Sequence, residues 1–288
     1  MANLVPVMKF GGVTLQGLNR FGPDEGRLLA EALRQENLND MYRLLAQRRN
    51  LARAQRLREV AEDFVLPWCQ NGTTPVVVVS AFDWATDKLE QLAATLSASP
   101  DPREYARLLM SGELRANAAL AIALVAEGHA ARSLTGREAG ILTDKRHVGA
   151  LVESVEGSHV TDLLARQIIP VVAGFQGYYW DEAEQRDEVS ILGRGGSNLT
   201  AVALADALDQ TECTMFSNVD GIYTKDPNTF ADATKLAEIK ASELLQWSPF
   251  PQVIQKEAVL YACDRGVDIW IRDGFDPNKP GTLIRCRE

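Results

Sequence analysis

The sequence predicts an α/β sandwich, a largely parallel sheet covered on both faces by helices. Short, unbroken apolar runs read as strands buried on both sides, and they alternate with stretches whose apolar residues recur at helical spacing. At 288 residues the chain is long enough for one large α/β domain. It is 46% hydrophobic and 24% charged with Gly and Pro scattered, which excludes disordered, collagenous and disulfide-scaffold classes.

Taken in order, Leu4 to Phe10 is the first strand. Gln16 to Gln55 then carries LLAEALRQ and MYRLLAQRRNLARAQ, an added helical pair that reads either as a solvated edge hairpin or as a lid or partner surface. A helix at Glu59 to Val65 leads into the strand Pro75 to Ala81, followed by helices at Thr86 to Ser97 and Gly112 to Glu127. Next come the strand His129 to Leu134, the helix Val160 to Arg166 and the strand Ile168 to Phe175. The charged segment Asp181 to Ile191 reads as a hairpin arm before a glycine loop. The helix Leu199 to Leu208, the strand Cys213 to Phe216, helices at Ala241 to Leu245 and Gln255 to Arg265 and the strand Val267 to Ile271 complete the pattern.

Thirty Lys and Arg against thirty-nine Asp and Glu give a net charge of −9, and no basic run is interleaved with aromatics. Nucleic acid and anionic membranes are therefore poor partners, and small molecules are expected. Cys69, Cys213, Cys263 and Cys286 lack metal-site spacing and read as reduced thiols. MANLVPVMKF is too short for a signal-peptide core, and no run approaches the ~18 apolar residues of a membrane span, so a cytoplasmic protein is expected.

Three loops carry candidate chemistry. The first strand runs into Lys9-Phe10-Gly11-Gly12, a cation followed by backbone that can approach an anion closely, or else a plain tight turn. Gly193-Arg194-Gly195-Gly196-Ser197 precedes a helical pattern from Asn198, so its backbone donors and the helix dipole favour a phosphate or carboxylate. Arg194 adds bidentate recognition of a carboxylate. Ser217, Asn218, Tyr223, Lys225 and Asp226 lie on a third loop that is also rich in turn formers. Neither a Walker P-loop nor a strand-linked GxGxxG is present.

In this order the loops resemble the catalytic domain of aspartate kinases, of the amino acid kinase superfamily. MKFGGVTL, VVVVSAF, Ser111-Gly112-Glu113, GREAGILTD, IPVVAGFQG, ILGRGGSNLTAVALA, NVDGIYTKDPN and DPNKPGTLI carry the resemblance. It implies a three-layer sandwich with about eight mainly parallel strands, ligands lying across the strand C-terminal ends. It also implies a single catalytic domain over 1–288 with an insertion at 16–55 and no ACT regulatory domain. ATP, with Mg2+ bound chiefly through its phosphates, would phosphorylate the side-chain carboxylate of aspartate or a close analogue. Lys9 would sit at the transferring phosphoryl group, with backbone donors from Gly11, Gly12, Gly195 and Gly196. Ser80, Thr86, Glu113 and Arg194 would hold the amino acid, Glu113 at its ammonium and Arg194 at its α-carboxylate. Ser197, Ser217, Asn218, Tyr223, Lys225, Asp226 and Gln252 would line the nucleotide side. The resemblance further implies a homodimer formed through core-domain helices.

The departures from the family pattern are specific. Val13-Thr14 replaces Thr-Ser, Asn198 replaces the aspartate that helps position Lys9, and Ser217-Asn218 replaces Thr-Asp. Asn228 and Gln252 stand where an arginine and a lysine are usual, and Lys225 is an added cation. Two further readings stay open on this account: a same-fold kinase acting on another carboxylate, hydroxyl or phosphonate, and a non-catalytic binding homologue.

Overall fold

Val76–Val79 is buried at all four positions, so it has no solvent face and belongs in the middle of a sheet. The computed structural model, which describes residues 4–16, 38–82, 84–227 and 229–287, places it there. Strands β1 (Val7–Phe10), β2 (Val76–Val79), β3 (Ala131–Leu134), β7 (Ile169–Ala173), β10 (Glu212–Ser217), β11 (Glu238–Lys240), β12 (Asp268–Asp273) and β13 (Thr282–Arg285) form one sheet. Their order is β11-β13-β12-β10-β1-β2-β7-β3, and only the β12/β13 pair is antiparallel. All six predicted runs form strands of this sheet. The chain turns to one side from β1 into β2 and reaches β10 on the other side later, so β1 is a topological switch point.

A second, 5-stranded sheet has the order β5-β9-β8-β4-β6. It comprises β4 (Ile141–Thr143), β5 (Val148–Ala150), β6 (Val152–Val155), β8 (Gln176–Asp181) and β9 (Arg186–Leu192). The antiparallel β8/β9 hairpin is the arm expected at Asp181 to Ile191. The sequence left β4, β5 and β6 unmarked because three or four residues are too few to show a period. Arg103 binds Glu188 of β9 at 2.6 Å, tying this sheet to the helical layer.

Helix α1 (Gly12–Gln16) follows β1 directly. Helix α2 (Leu38–Glu59) continues through a π-helical turn (Val60–Val65) into α3 (Leu66–Gln70). The expected boundary at Gln55 is thereby corrected: the arginine-rich helix runs without a break into the buried turn that carries Val60, Ala61, Phe64 and Val65. LLAEALRQ lies outside the described residues. The remaining helices are α4 (Ala85–Leu96), α5 (Pro102–Ala126), α6 (Ser158–Ala165), α7 (Gly196–Ala207), α8 (Ala241–Leu244) and α9 (Lys256–Arg265).

Helix α5 begins at Pro102 and not at Gly112. Asp101 caps it by accepting from the N–H groups of Arg103 and Glu104 at 3.0 and 3.1 Å, and proline fits the first turn, where no donor is needed. Its best 18-residue window has a mean hydropathy of 1.4, enough in length and composition to cross a membrane. Half of that window is buried in the fold, where Asn117 donates to the Leu134 carbonyl at 2.9 Å, as befits a core helix.

Side chains alternate across the large sheet. Val7, Val76, Val78 and Met215 pack with α6, α7 and α9, while Met8, Phe10, Val77 and Val79 pack with α5 and the π-helical turn. Phe10 stacks on Phe216 at 4.7 Å, and Phe64 meets the two rings edge-on at 5.7 and 4.9 Å. That aromatic trio fixes the C-terminal ends of β1 and β10 side by side.

Candidate active site

A cavity of about 440 Å³ opens at the C-terminal ends of β1 and β2, between α4, α5, α7 and the rim formed by β5 and β9. It lies at the switch point, where open α/β sheets leave a crevice. Lys9, Ser80, Thr86, Glu113, Arg194, Gly195, Gly196, Ser197 and Asn198 all line it. Residues separated by most of the chain are thus brought to one wall.

Lys9 sits in register between Val78 and Met215, inside the sheet. Burial pushes its ammonium down to about 8, and no carboxylate opposes that shift. The ammonium is a cation held in a low-dielectric place without a counter-ion among the described residues. Glu113 is 3% exposed on α5. One of its oxygens accepts from the Ala81 N–H at 3.1 Å, and Oε2 has no partner. Burial raises its carboxyl to about 7, opposed by backbone N–H groups. Arg194, exposed at the rim, makes no ion pair among the described residues. A cation, an acid and a second cation therefore face one space with charges not satisfied by the protein.

The glycine loop enters α7 through Gly195, whose φ of +78° favours glycine. A Cβ there would collide with the Gln255 side chain. Gln255 also accepts from Asn198 Nδ2 at 2.7 Å, while Asn198 Oδ1 is buried and unpartnered. No hydrogen bond joins Asn198 to Lys9 among the described residues, so the neutral amide turns to Gln255.

Several sequence expectations are corrected here. The Gly11 N–H is engaged with the Phe216 carbonyl at 3.2 Å, and that of Gly196 with Gly193 at 2.9 Å, so neither is a free donor. Gly12 opens α1, where a helix start leaves N–H groups without an intrahelical partner. Gln252 is exposed and outside the cavity wall, whereas Val253 and Gln255 line it, because the bend before α9 turns these two inward. Only its position before a helix start marked Gln255, a signal too general to single it out.

The loop after β10 stands beside this cavity and not in its wall. Ser217 Oγ bonds to Asn218 Oδ1 at 3.2 Å, the Tyr223 hydroxyl donates to Asp220 at 2.9 Å, and Thr229 donates to Asp226 at 3.0 Å. Lys225 pairs with Asp232 at 2.6 Å and lies over Phe230, so its charge is already engaged within the loop. Asn228 lies outside the described residues. Hydrogen bonds within this loop hold it next to Gly11 through the β1/β10 register.

The two shifted groups make a pH prediction. Glu113 has a raised folded-state pKa, so its contribution to stability is complete below 4.5 and is lost as pH rises through about 7. Lys9 has a depressed one, so its contribution is present above 10.5 and is lost as pH falls through about 8. Near pH 7 both oppose folding of the empty site. Denaturant melts of Glu113→Gln should show its stability relative to wild type improving by on the order of 2 kcal/mol from pH 5 to 8. A constant gap would mean that Glu113 titrates as an ordinary carboxylate.

The amino acid kinase family matches residues 5–273. Similarity extends to the aspartokinase of Helicobacter pylori strain 26695, 40% identical over 231 residues, 80% of this chain and 55% of that protein. The chain spans about half the length of the curated relatives it matches. Among solved structures, aspartate kinase from Synechocystis superposes with a TM-score of 0.74 at 30% identity, covering 98% of this chain and 40% of that one. Aspartokinase III of E. coli, solved with aspartate and ADP, shares the fold at a TM-score of 0.67 and 18% identity, covering 98% and 64%.

Proposed function

We propose, from the premise that the chain belongs to the amino acid kinase family, that it transfers the γ-phosphoryl group of ATP to the side-chain carboxylate of aspartate or a close analogue. The observation that carries this reading is the set of unsatisfied charges in one cavity: half-buried Lys9, buried Glu113 and rim Arg194. They complement a phosphoryl group, an α-ammonium and an α-carboxylate. The similar aspartokinases support the same substrate class.

In this reading a carboxylate oxygen of the acceptor forms a bond to the γ-phosphorus as the bond to the β,γ-bridging oxygen breaks, and ADP leaves. No proton has to move, so positioning and neutralisation of oxygen charge do the work. Lys9 meets the charge on the transferring group, and contact with that anion restores its ammonium form. Glu113 gains its missing partner when an ammonium arrives. Asn198 and Gln255 hold the glycine loop against α9. Among the described residues no group of three His, Cys, Asp or Glu is placed to hold a metal, so magnesium would come on the nucleotide phosphates, where it supplies charge neutralisation. A cytoplasmic homodimer belongs to the same proposal, as does a single catalytic domain.

The engagement of Lys225 with Asp232 and the exposed position of Gln252 favour a second reading, a homologue that binds nucleotide without turning it over. One product analysis separates the two. With ATP, magnesium, hydroxylamine and a panel of amino acids, an acyl phosphate is trapped as its hydroxamate while ADP accumulates. Hydroxamate from aspartate is the expected result. ADP without hydroxamate would point to a hydroxyl or phosphonate acceptor, and nucleotide binding with no ADP would establish the non-catalytic reading.

A further inference from the structure

Arg56, in the last turn of α2, is 3% exposed, and its guanidinium is spent mainly on other elements. Nε donates to the Thr14 carbonyl at 2.7 Å, and Nη2 donates to the Gly274 carbonyl. Nη1 meets Glu59, a half-buried carboxylate, at 2.9 Å. The guanidinium lies 4.8 Å over the Phe275 ring and 5.7 Å over Phe64. A buried cation is costly, and carbonyls aimed at it offset the cost only if they are held in place.

Both carbonyls belong to backbone that follows the C-terminal end of a strand beside the cavity, Thr14 after β1 and Gly274 after β12. Thr14 lies in the short helix opened by Gly12, and its hydroxyl donates to the Gly11 carbonyl at 2.6 Å. Gly274 directly follows β12, and its N–H donates to the Ser217 carbonyl at 2.7 Å. A Cβ on Gly274 would fall inside contact distance of both Thr14 and the Ser217 carbonyl, so α1 is packed against this backbone as closely as a glycine permits. The Gly11 N–H to Phe216 carbonyl bond closes the ring of contacts. One planar guanidinium therefore joins the backbone after β1 to the backbone after β12, and the latter in turn holds the end of β10.

We propose that Arg56 is a positioning residue, a clamp that sets the distance between the Gly11-Gly12 turn behind Lys9 and the loop that begins at Ser217. This rests on reading the cavity as a kinase site with the nucleotide beside that loop. The arginine-rich helix then contributes to catalysis through its last turn and is more than a covering for one edge of the sheet.

The test combines amide hydrogen exchange with steady-state kinetics on Arg56→Gln and Arg56→Lys. In Arg56→Gln, peptides covering 9–16 and 217–223 should exchange about tenfold faster, while those covering β7 and α6 stay at wild-type rates. KM for ATP should rise about fivefold or more with a smaller change in KM for the acceptor, and Arg56→Lys should recover part of both effects. Wild-type exchange at the two turns, or acceleration spread evenly over the sheet, would overturn the clamp. So would an unchanged KM for ATP in a folded variant. If Arg56→Gln does not fold, Arg56→Lys carries the same readouts at smaller amplitude. Should the wild type turn over no ATP, the kinase reading fails by itself, and hydrogen exchange still decides the clamp.

Discussion

Lys9→Ala should lower kcat by about a hundredfold or more, because a preorganised cation at the transferring group is typically worth ~3 kcal/mol in the transition state. The structure strengthens this expectation in two ways. Lys9 is held within the central sheet, in register with Val78 and Met215, so it does not have to be ordered when substrate arrives. Burial has also lowered its pKa to about 8 with no counter-ion among the described residues, so its field is directed at whatever anion enters. The same burial predicts that the variant folds at least as well as wild type near pH 7, since a desolvated cation has been removed. Stopped-flow or coupled assays, with thermal melts run alongside, check both statements. Near-normal kcat in a folded Lys9→Ala protein would remove Lys9 from the mechanism.

Arg194→Ala and Glu113→Gln should each raise KM for the amino acid by roughly 30-fold or more and leave KM for ATP within a few-fold. Charge-assisted hydrogen bonds to the two ends of an amino acid are worth about 2 kcal/mol each. The two variants differ in what they leave behind. Arg194 is exposed and makes no ion pair among the described residues, so its removal breaks no ion pair there. Glu113 is buried, and the Gln replacement keeps an oxygen for the Ala81 N–H while losing the charge. Initial-rate matrices over both substrates give the split. Equal damage to both KM values would mean that these residues shape the cavity and do not hold the acceptor.

Hydroxamate trapping bears on the substrate and leaves these residue roles open, whereas the KM split bears on the roles and needs only an acceptor that works. A lost acceptor KM in Arg194→Ala together with an intact Lys9 dependence would also disfavour a hydroxyl or phosphonate substrate lacking an α-carboxylate.

By itself the sequence determined the alternation of strands and helices, the hairpin arm and the glycine loop, together with the residues Lys9, Glu113 and Arg194 that now share a cavity wall. Except for Glu113, which only the resemblance of the ordered motifs singles out, each leaves a local mark: an apolar run, a helical period or a glycine cluster ahead of a helix. The ordered motifs added the common site. Tertiary structure decided the rest. Whether a glycine N–H is free depends on a distant carbonyl, as Gly11 shows by donating to Phe216. Gln255, and not Gln252, reaches the cavity because a bend before α9 turns it inward against Asn198, 57 residues away. Arg56 lies one residue past the arginine-rich segment and carries no local mark, yet its partner Gly274 lies 218 residues further along the chain. The low pKa of Lys9 and the high pKa of Glu113 arise from desolvation, a property of the packed protein around a side chain and not of its neighbours in sequence.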